Sequence, residues 1–181
     1  MKFLSGTKFK ECFLFNSEQF EDERGLFIES FRENLFNELV PGIKFVQENI
    51  SFSRKNVLRG IHFQSKNAQA KLVRVIKGSV LDVFVDLRHN SKDFGKYDSK
   101  ILSSTNFKQL YIPAGFGHGF LALEDTWLMY KCSEYYSPEH DKTIFWNDKS
   151  LKIDWGISNP VISNKDKEGI SFDKYKMSPD Y

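Results

Sequence analysis

Residues 57–78 read VLRGIHFQSKNAQAKLVRVIKG, and the interpretation of the whole chain turns on this stretch. It reads as two β-strands and the link between them. In the second, Lys71-Leu72-Val73-Arg74-Val75-Ile76 alternates, so Lys71 shares a face with Val73 and Val75. A strand face that mixes a lysine with valines looks either into the mouth of a barrel or out to solvent. His62 sits among apolar neighbours, an unusual setting for a surface histidine. Arg59, His62 and Lys71 thus fall within thirteen residues; they are either a base beside an electrophile or a charged rim.

Outward from this stretch the chain stays β-rich. Lys10–Asn16 (KECFLFN) reads as a first strand, Phe20 precedes a polar turn at Glu21–Gly25 (EDERG), and Leu26–Phe31 (LFIESF) reads as a second strand that alternates in part. Asn34–Leu39 is the one short helix, stopped by Pro41-Gly42, and Lys44–Phe52 returns to β character. On the other side, Ser79–Leu87 (SVLDVFVDL) is rich in β-branched and aromatic residues and reads as buried on both faces over part of its length. Gly95–Leu102, Gln109–Ile112, Gly119–Leu123 and Trp127–Tyr136 follow as strands. Many short strands and almost no helical period predict an all-β sandwich or barrel. After Trp155 the chain turns polar and lysine-rich. Asn164–Glu168 (NKDKE) reads as a solvated face, and the last several residues as loosely held.

Composition narrows the function. The 181 residues suit one domain, 1–181, with one sizeable core. Lys and Arg number 26 against 24 Asp and Glu, a net charge of +2 that lacks the bias of a nucleic-acid binder. No long apolar run and no leader pattern point to a membrane or to export. Cys12 and Cys132 stand far apart without a CxxC, so both read as free thiols in a reducing, cytoplasmic setting. Of four histidines, His89 and His140 lie in turn-like, solvent-exposed segments. His118 follows Pro113-Ala-Gly-Phe-Gly, where a constrained backbone suggests positioning, although a hydrogen-bonded core histidine would look the same.

Pro113-x-Gly115-x-x-His118 resembles the second motif of the cupin superfamily, small jelly-roll barrels of the double-stranded β-helix type. The first cupin motif would supply His-x-His and then a glutamate as metal ligands. Here His62 is followed by Phe63 and Gln64, with no glutamate before Gly78. Two histidines alone fall short of the usual three protein ligands, so the metal signal fails while the barrel signal stays.

The ordered set Asp22-Glu-Arg-Gly25, Phe45-Val-Gln-Glu-Asn49, Leu58-Arg-Gly-Ile-His-Phe-Gln64, Gln69-Ala-Lys-Leu-Val-Arg-Val75, Ile112–Phe120, Tyr130-Lys131, Tyr135–His140 and Lys165-Asp166 resembles the dTDP-4-dehydrorhamnose 3,5-epimerase family. The resemblance covers roughly residues 10 to 170. It implies a cupin-fold, homodimeric epimerase of a nucleotide-diphosphate 4-keto-6-deoxy sugar, needing no metal and no cofactor. C3 and C5 of such a sugar flank the carbonyl, so their protons can leave if the enolate is stabilised. That chemistry needs a base titrating near neutrality, a cation at the carbonyl oxygen and an acid on the far face of the ring.

The resemblance gives these roles to His62, Lys71 and Tyr130, and pairs His62 with Asp166. Tyr130 also shares strand parity with Tyr136. The resemblance further implies that Arg59 binds pyrophosphate and that Arg24 comes from the neighbouring subunit. It makes Gln47, Asn49, His118 and Glu139 polar pocket groups, and Tyr136, Phe20 and Phe27 aromatics against the nucleotide.

Arg59 and His62, three apart, would face opposite ways in a regular strand, so a shared pocket requires a bulge or kink at Gly60. Ser65–Ala68 lacks the proline common in the family, Gly117 replaces its usual alanine, and Phe145 stands where an arginine is common. Alternative activities are inversion of C3 alone or C5 alone, or ketoisomerisation, on a CDP- or GDP-linked sugar. A non-catalytic sugar-binding cupin and a metal-dependent cupin oxygenase are rivals from other classes.

Overall fold

Alternating apolar strands bury one face each, and here they do so as two facing antiparallel sheets in a computed structural model that describes residues 2–181. The strands are β1 (Lys2–Gly6), β2 (Phe13–Asn16), β3 (Gln19–Asp22), β4 (Gly25–Ile28), β5 (Gln47–Ser53), β6 (Leu58–Gln64), β7 (Lys71–Lys77), β8 (Ser79–Asp86), β9 (Tyr97–Ser103), β10 (Lys108–Ile112), β11 (Phe116–Ala122), β12 (Thr126–Cys132) and β13 (Asp141–Thr143). Three short helices join them: α1 (Glu33–Leu39), α2 (Asn164–Lys167) and α3 (Phe172–Met177). One sheet runs β1-β2-β10-β7-β12-β5 and the other β13-β6-β11-β8-β9. This is the all-β jelly-roll expected from the sequence. Among the described residues, no helix is long and apolar enough to cross a membrane.

Between the sheets lie Val73, Val75, Leu110 and Leu128 from the first, against Val80, Phe84, Leu102 and Phe120 from the second. Lys71 shares the inner face with Val73 and Val75, so of the two readings of this strand it is the barrel mouth that holds. The back of the second sheet presents Ile61, Phe63, Val83 and Val85, which pack under Trp146, Trp155, Phe172 and Tyr175 of the C-terminal segment. β8 is therefore buried on both faces, as its composition predicts. Helix α1 covers part of the back of the first sheet, with Phe36 on Phe15, Leu72 and Tyr111.

Several sequence expectations need correction. The segment read as a turn at Glu21–Gly25 is the tip of a hairpin, β3 paired with β4, and neither strand joins another sheet. Nothing in the sequence marks β3, because it buries almost nothing; the strand expected at Leu26–Phe31 is present as β4 but ends at Ile28. The strand expected at Lys10–Asn16 begins only at Phe13, and the one expected to reach Tyr136 ends at Cys132. The polar tail is not a loose, solvated run. Asp166 is 2% exposed, Phe172 and Tyr175 are buried, and the Tyr181 hydroxyl donates to the Gln64 carbonyl.

The kink expected at Gly60 is present. Pairing of β6 with β11 matches His118 to His62 and Phe120 to Arg59, so β6 carries one residue more than its partner between those pairs. That extra residue resets the alternation. Leu58, Ile61 and Phe63 all join the core behind the sheet, which leaves Arg59 and His62 to the opposite side. Gly60 has φ of +117°, and a Cβ there would lie 2.5 Å from Gly119 Cα and 2.7 Å from the His118 carbonyl oxygen. Gly60→Ala is therefore expected to destabilise the protein by at least about 2 kcal/mol, through strain and backbone collision together. At Gly156 φ is +67° and a Cβ would meet nothing within 4 Å; Gly156→Ala should cost only about 1 kcal/mol. Denaturant titration of the two variants measures the difference.

Candidate active site

The open end of the barrel holds a cavity of about 330 Å³ lined by groups from both sheets. β6 contributes His62 and Gln64; β5 contributes Gln47 and Asn49; β7 and β12 contribute Lys71 and Tyr130. Tyr130 is paired with Asn49 on one side and Val73 on the other, and Cys132 with Lys71. Lys71 and Tyr130 therefore share one inner face, with the Lys71 ammonium 5.9 Å from the Tyr130 ring centre. His62 stands on the facing sheet. The volume is at the small end of ligand pockets, enough for a sugar-sized group and not for a large one.

Asp166 reaches His62 from helix α2 of the C-terminal segment. Its Oδ1 lies 2.5 Å from His62 Nε2, across 104 residues of sequence. Ser163 caps α2 by accepting from the Asp166 amide, which turns the aspartate inward. Burial alone would raise the Asp166 pKa. The His62 hydrogen bond and charge, with Ser163 and Lys165, outweigh it and hold the carboxyl below its ordinary value of 3.8. An ionised Asp166 accepts, so His62 Nε2 donates and Nδ1 is left with the lone pair.

The facing pair is tuned in opposite senses. Burial pushes the Lys71 ammonium below the ordinary lysine value, while Cys132, Asp141 and Asp82 pull it partly back up. Burial lifts the Tyr130 phenol above 10, with Arg59 and Asn49 opposing. At neutral pH Tyr130 is thus a protonated donor beside a weakly hydrated cation.

The remaining expected residues divide. Arg59 spans the gap between the sheets, its guanidinium 3.0 Å from Ser53 Oγ and 3.2 Å from the Phe52 carbonyl. Tyr136 borders the cavity although it lies beyond the strand, so the parity argument linking it to Tyr130 does not apply. Its hydroxyl donates to Asp141 at 2.9 Å, and its amide donates to Gln47 at 2.8 Å. His118 does not line the cavity; it pairs with His62 on the same inner face of the sheet and is buried, with Nε2 2.9 Å from Asp82. Glu139 points outward, 3.6 Å from His140 Nδ1. Arg24 lies at the hairpin tip, gripped by Asp22, and the rings of Phe20 and Phe27 meet at a tilt on that hairpin, centroids 6.3 Å apart. These three stand away from the chain's own cavity.

Gln64, Gln69, Asp141 and Lys165 line the cavity and were not singled out from the sequence. Asp141 accepts from both Tyr136 and Lys165. The first two stand in the strings HFQ and QAK, two residues from His62 and from Lys71, and that spacing was the available signal. Among the described residues, no three His, Cys, Asp or Glu side chains converge as a metal site would require.

Residues 6–174 match the sequence model of the dTDP-4-dehydrorhamnose 3,5-epimerases. A dTDP-4-dehydrorhamnose 3,5-epimerase of Pseudomonas aeruginosa is 44% identical over 165 residues, covering 90% of this chain and 91% of that one. One from Methanothermobacter thermautotrophicus is 45% identical, with 89% of each chain covered. Among solved structures, a dTDP-6-deoxy-D-glucose-3,5-epimerase of Legionella pneumophila in complex with dTDP-4-keto-L-rhamnose superposes with a TM-score of 0.91. It is 40% identical, with 95% of this chain and 93% of that chain covered.

The Asp166–His62 pair also sets a pH dependence of stability. A carboxyl whose folded pKa is depressed adds stability above its unfolded pKa and loses it as pH falls through the folded value. Asp166→Asn should therefore flatten the acid limb: wild type loses stability below the ordinary carboxyl value of 3.8, and the variant loses less. Thermal melts between about pH 2 and 6 read this out.

Proposed function

The chain belongs to the dTDP-4-dehydrorhamnose 3,5-epimerase family and is an isomerase of that kind, and from that premise we propose that it inverts C3 and C5 of a dTDP-linked 4-keto-6-deoxyhexose. The observation that carries the reading is one cavity bounded by His62 on one sheet and by Lys71 and Tyr130 on the other, with Asp166 of α2 hydrogen-bonded to the histidine. His62 Nδ1 takes a proton from the carbon beside the carbonyl. The C–H electron pair moves into the ring and onto the carbonyl oxygen, and the Lys71 ammonium stabilises the enolate. Tyr130, approaching from the facing sheet, returns a proton to the opposite side of that carbon, which inverts it. Solvent then removes the proton from His62 and restores the one on Tyr130, so no atom is gained or lost. Asp166 fixes the histidine tautomer and steadies its charged form.

A sugar ring fills the cavity against Gln47 and Asn49, and the diphosphate extends past it toward Arg59 and Lys165. The half-exposed Tyr136 offers a face for the base. His118 acts through Asp82, whose charge bears on Lys71.

The β3–β4 hairpin supports a homodimer. A lone two-stranded hairpin is at best marginally stable in water, and this one leaves Phe20, Leu26 and Phe27 about half exposed or more. In this reading it crosses to a second protomer and presents Arg24, Phe20 and Phe27 at the partner's cavity. Leaving Asp22 for a diphosphate would give the Arg24 guanidinium a second bidentate partner.

Two experiments test the mechanism. His62→Ala should lower deuterium wash-in at C3 and C5, followed by NMR in heavy water, at least about a thousandfold while the melting curve stays sigmoidal. Persistent wash-in would sink the base assignment. A sugar-binding protein without activity would show none even as wild type. In the second, the alkaline limb of the wild-type kcat profile should fall below the ordinary lysine value of 10.5, because the Lys71 pKa is lowered and its charge is lost there. Lys71→Arg cannot titrate in this range. Its limb should move upward to the ionisation of Tyr130, with kcat reduced about tenfold to a hundredfold.

A further inference from the structure

The hairpin is joined to the barrel at two points, Ser17 just before β3 and Ser30 just after β4, and one buried side chain holds both. Gln109, on β10 and 2% exposed, uses its amide nitrogen twice: Nε2 donates to Ser17 Oγ at 2.8 Å and to the Ser30 carbonyl at 2.6 Å. Both amide hydrogens are thereby spent on the two ends of a single excursion of the chain. Ser17 is itself buried, at 3% exposure. Beyond these anchors the arm has little to lean on. All four residues of β3 and the first three of β4 are exposed, and β3 and β4 pair only with each other. The direction in which the arm leaves the barrel is then decided at its base.

We propose that Gln109 is a positioning residue for the partner's substrate site: its amide clamps the two roots of the arm and so fixes where Arg24, Phe20 and Phe27 are delivered. The proposal rests on the reading that the arm serves the other protomer. Gln109 touches no substrate and lies on the back of its own sheet, its partners across β2 and β7 being Phe15 and Arg74. Its loss should therefore weaken substrate binding in the neighbouring cavity and spare the proton transfers there.

The test uses Gln109→Met, which keeps the length of the side chain and removes both donors. In the homodimer, KM for the dTDP-linked 4-keto-6-deoxyhexose should rise about tenfold, the scale set by one or two buried hydrogen bonds, with kcat within about twofold of wild type. Co-expression with His62→Ala under two affinity tags then isolates the heterodimer. Its working cavity belongs to the Gln109→Met subunit and receives the intact arm of the His62→Ala subunit, so KM should return to the wild-type value. A KM that is unchanged in the homodimer, or that stays high in the heterodimer, overturns the clamp. Arg24→Ala paired with His62→Ala runs in parallel. If that heterodimer also fails to recover, the arm does not cross and the dimer reading fails; if it recovers and Gln109→Met does not, only the clamp falls. Ser17→Ala, which deletes one acceptor, must show the same rise and the same recovery, and it keeps the test decisive should Gln109→Met fold poorly.

Discussion

A carboxylate with almost no solvent exposure is costly unless it is paired and hydrogen-bonded. Asp166 is paired with His62 at 2.5 Å, and much of the C-terminal third of the chain is arranged so that it can be. The Ser163 cap turns it inward. Bridges from Val57 to Val161 and from Ile144 to Ile170 tie the segment to the barrel on either side of it. Gly169 permits the closest approach, since a Cβ there would lie 2.7 Å from the Phe145 amide nitrogen. Trp155, Phe172 and Tyr175 then seal the same segment onto the back of β6. The apolar packing supplies the energy, and the polar pair at its edge selects the register in which that energy is gained.

Around this pair the cavity is an assembly of balanced opposites. Asp141 accepts from Lys165 and Tyr136, and Asp82 accepts from His118. The less compensated cation is Lys71, which reaches no carboxylate within salt-bridge range among the described residues and whose pKa falls accordingly. An ammonium stripped of water and left without a close counter-ion favours any anionic oxygen that enters the cavity. The Tyr130 phenol beside it on the same sheet is lifted in pKa by its own burial and keeps its proton at neutral pH.

How far the sequence disclosed this depended on whether a residue's role is written in its neighbours. The barrel was legible because alternation such as Lys71-Leu72-Val73-Arg74-Val75 states both the strand and its buried face. The resetting of parity at Gly60 was legible because two residues three apart had to face one way and a glycine lay between them. Asp166 was not legible from its surroundings. NKDKE has the composition of a solvated turn, and only the resemblance of Lys165-Asp166 to a family string marked it. The hairpin was read as a turn followed by a strand because an arm with both faces in water shows no alternation of burial. Asp141 escaped notice since its importance comes from Tyr136 and Lys165, which approach it from different parts of the chain.

The same long reach has a consequence during synthesis. The dyad joins a strand made in the first half of the chain to a helix made near its end, so a nascent protein can close most of its barrel while still lacking the carboxylate that pairs with its histidine. Until the segment from Ile144 to Tyr175 emerges, the apolar back of β6 and β8 is uncovered and open to aggregation. Completion of the His62–Asp166 pair and burial of that surface therefore both await the C-terminal segment, and a prematurely terminated chain would leave apolar surface exposed.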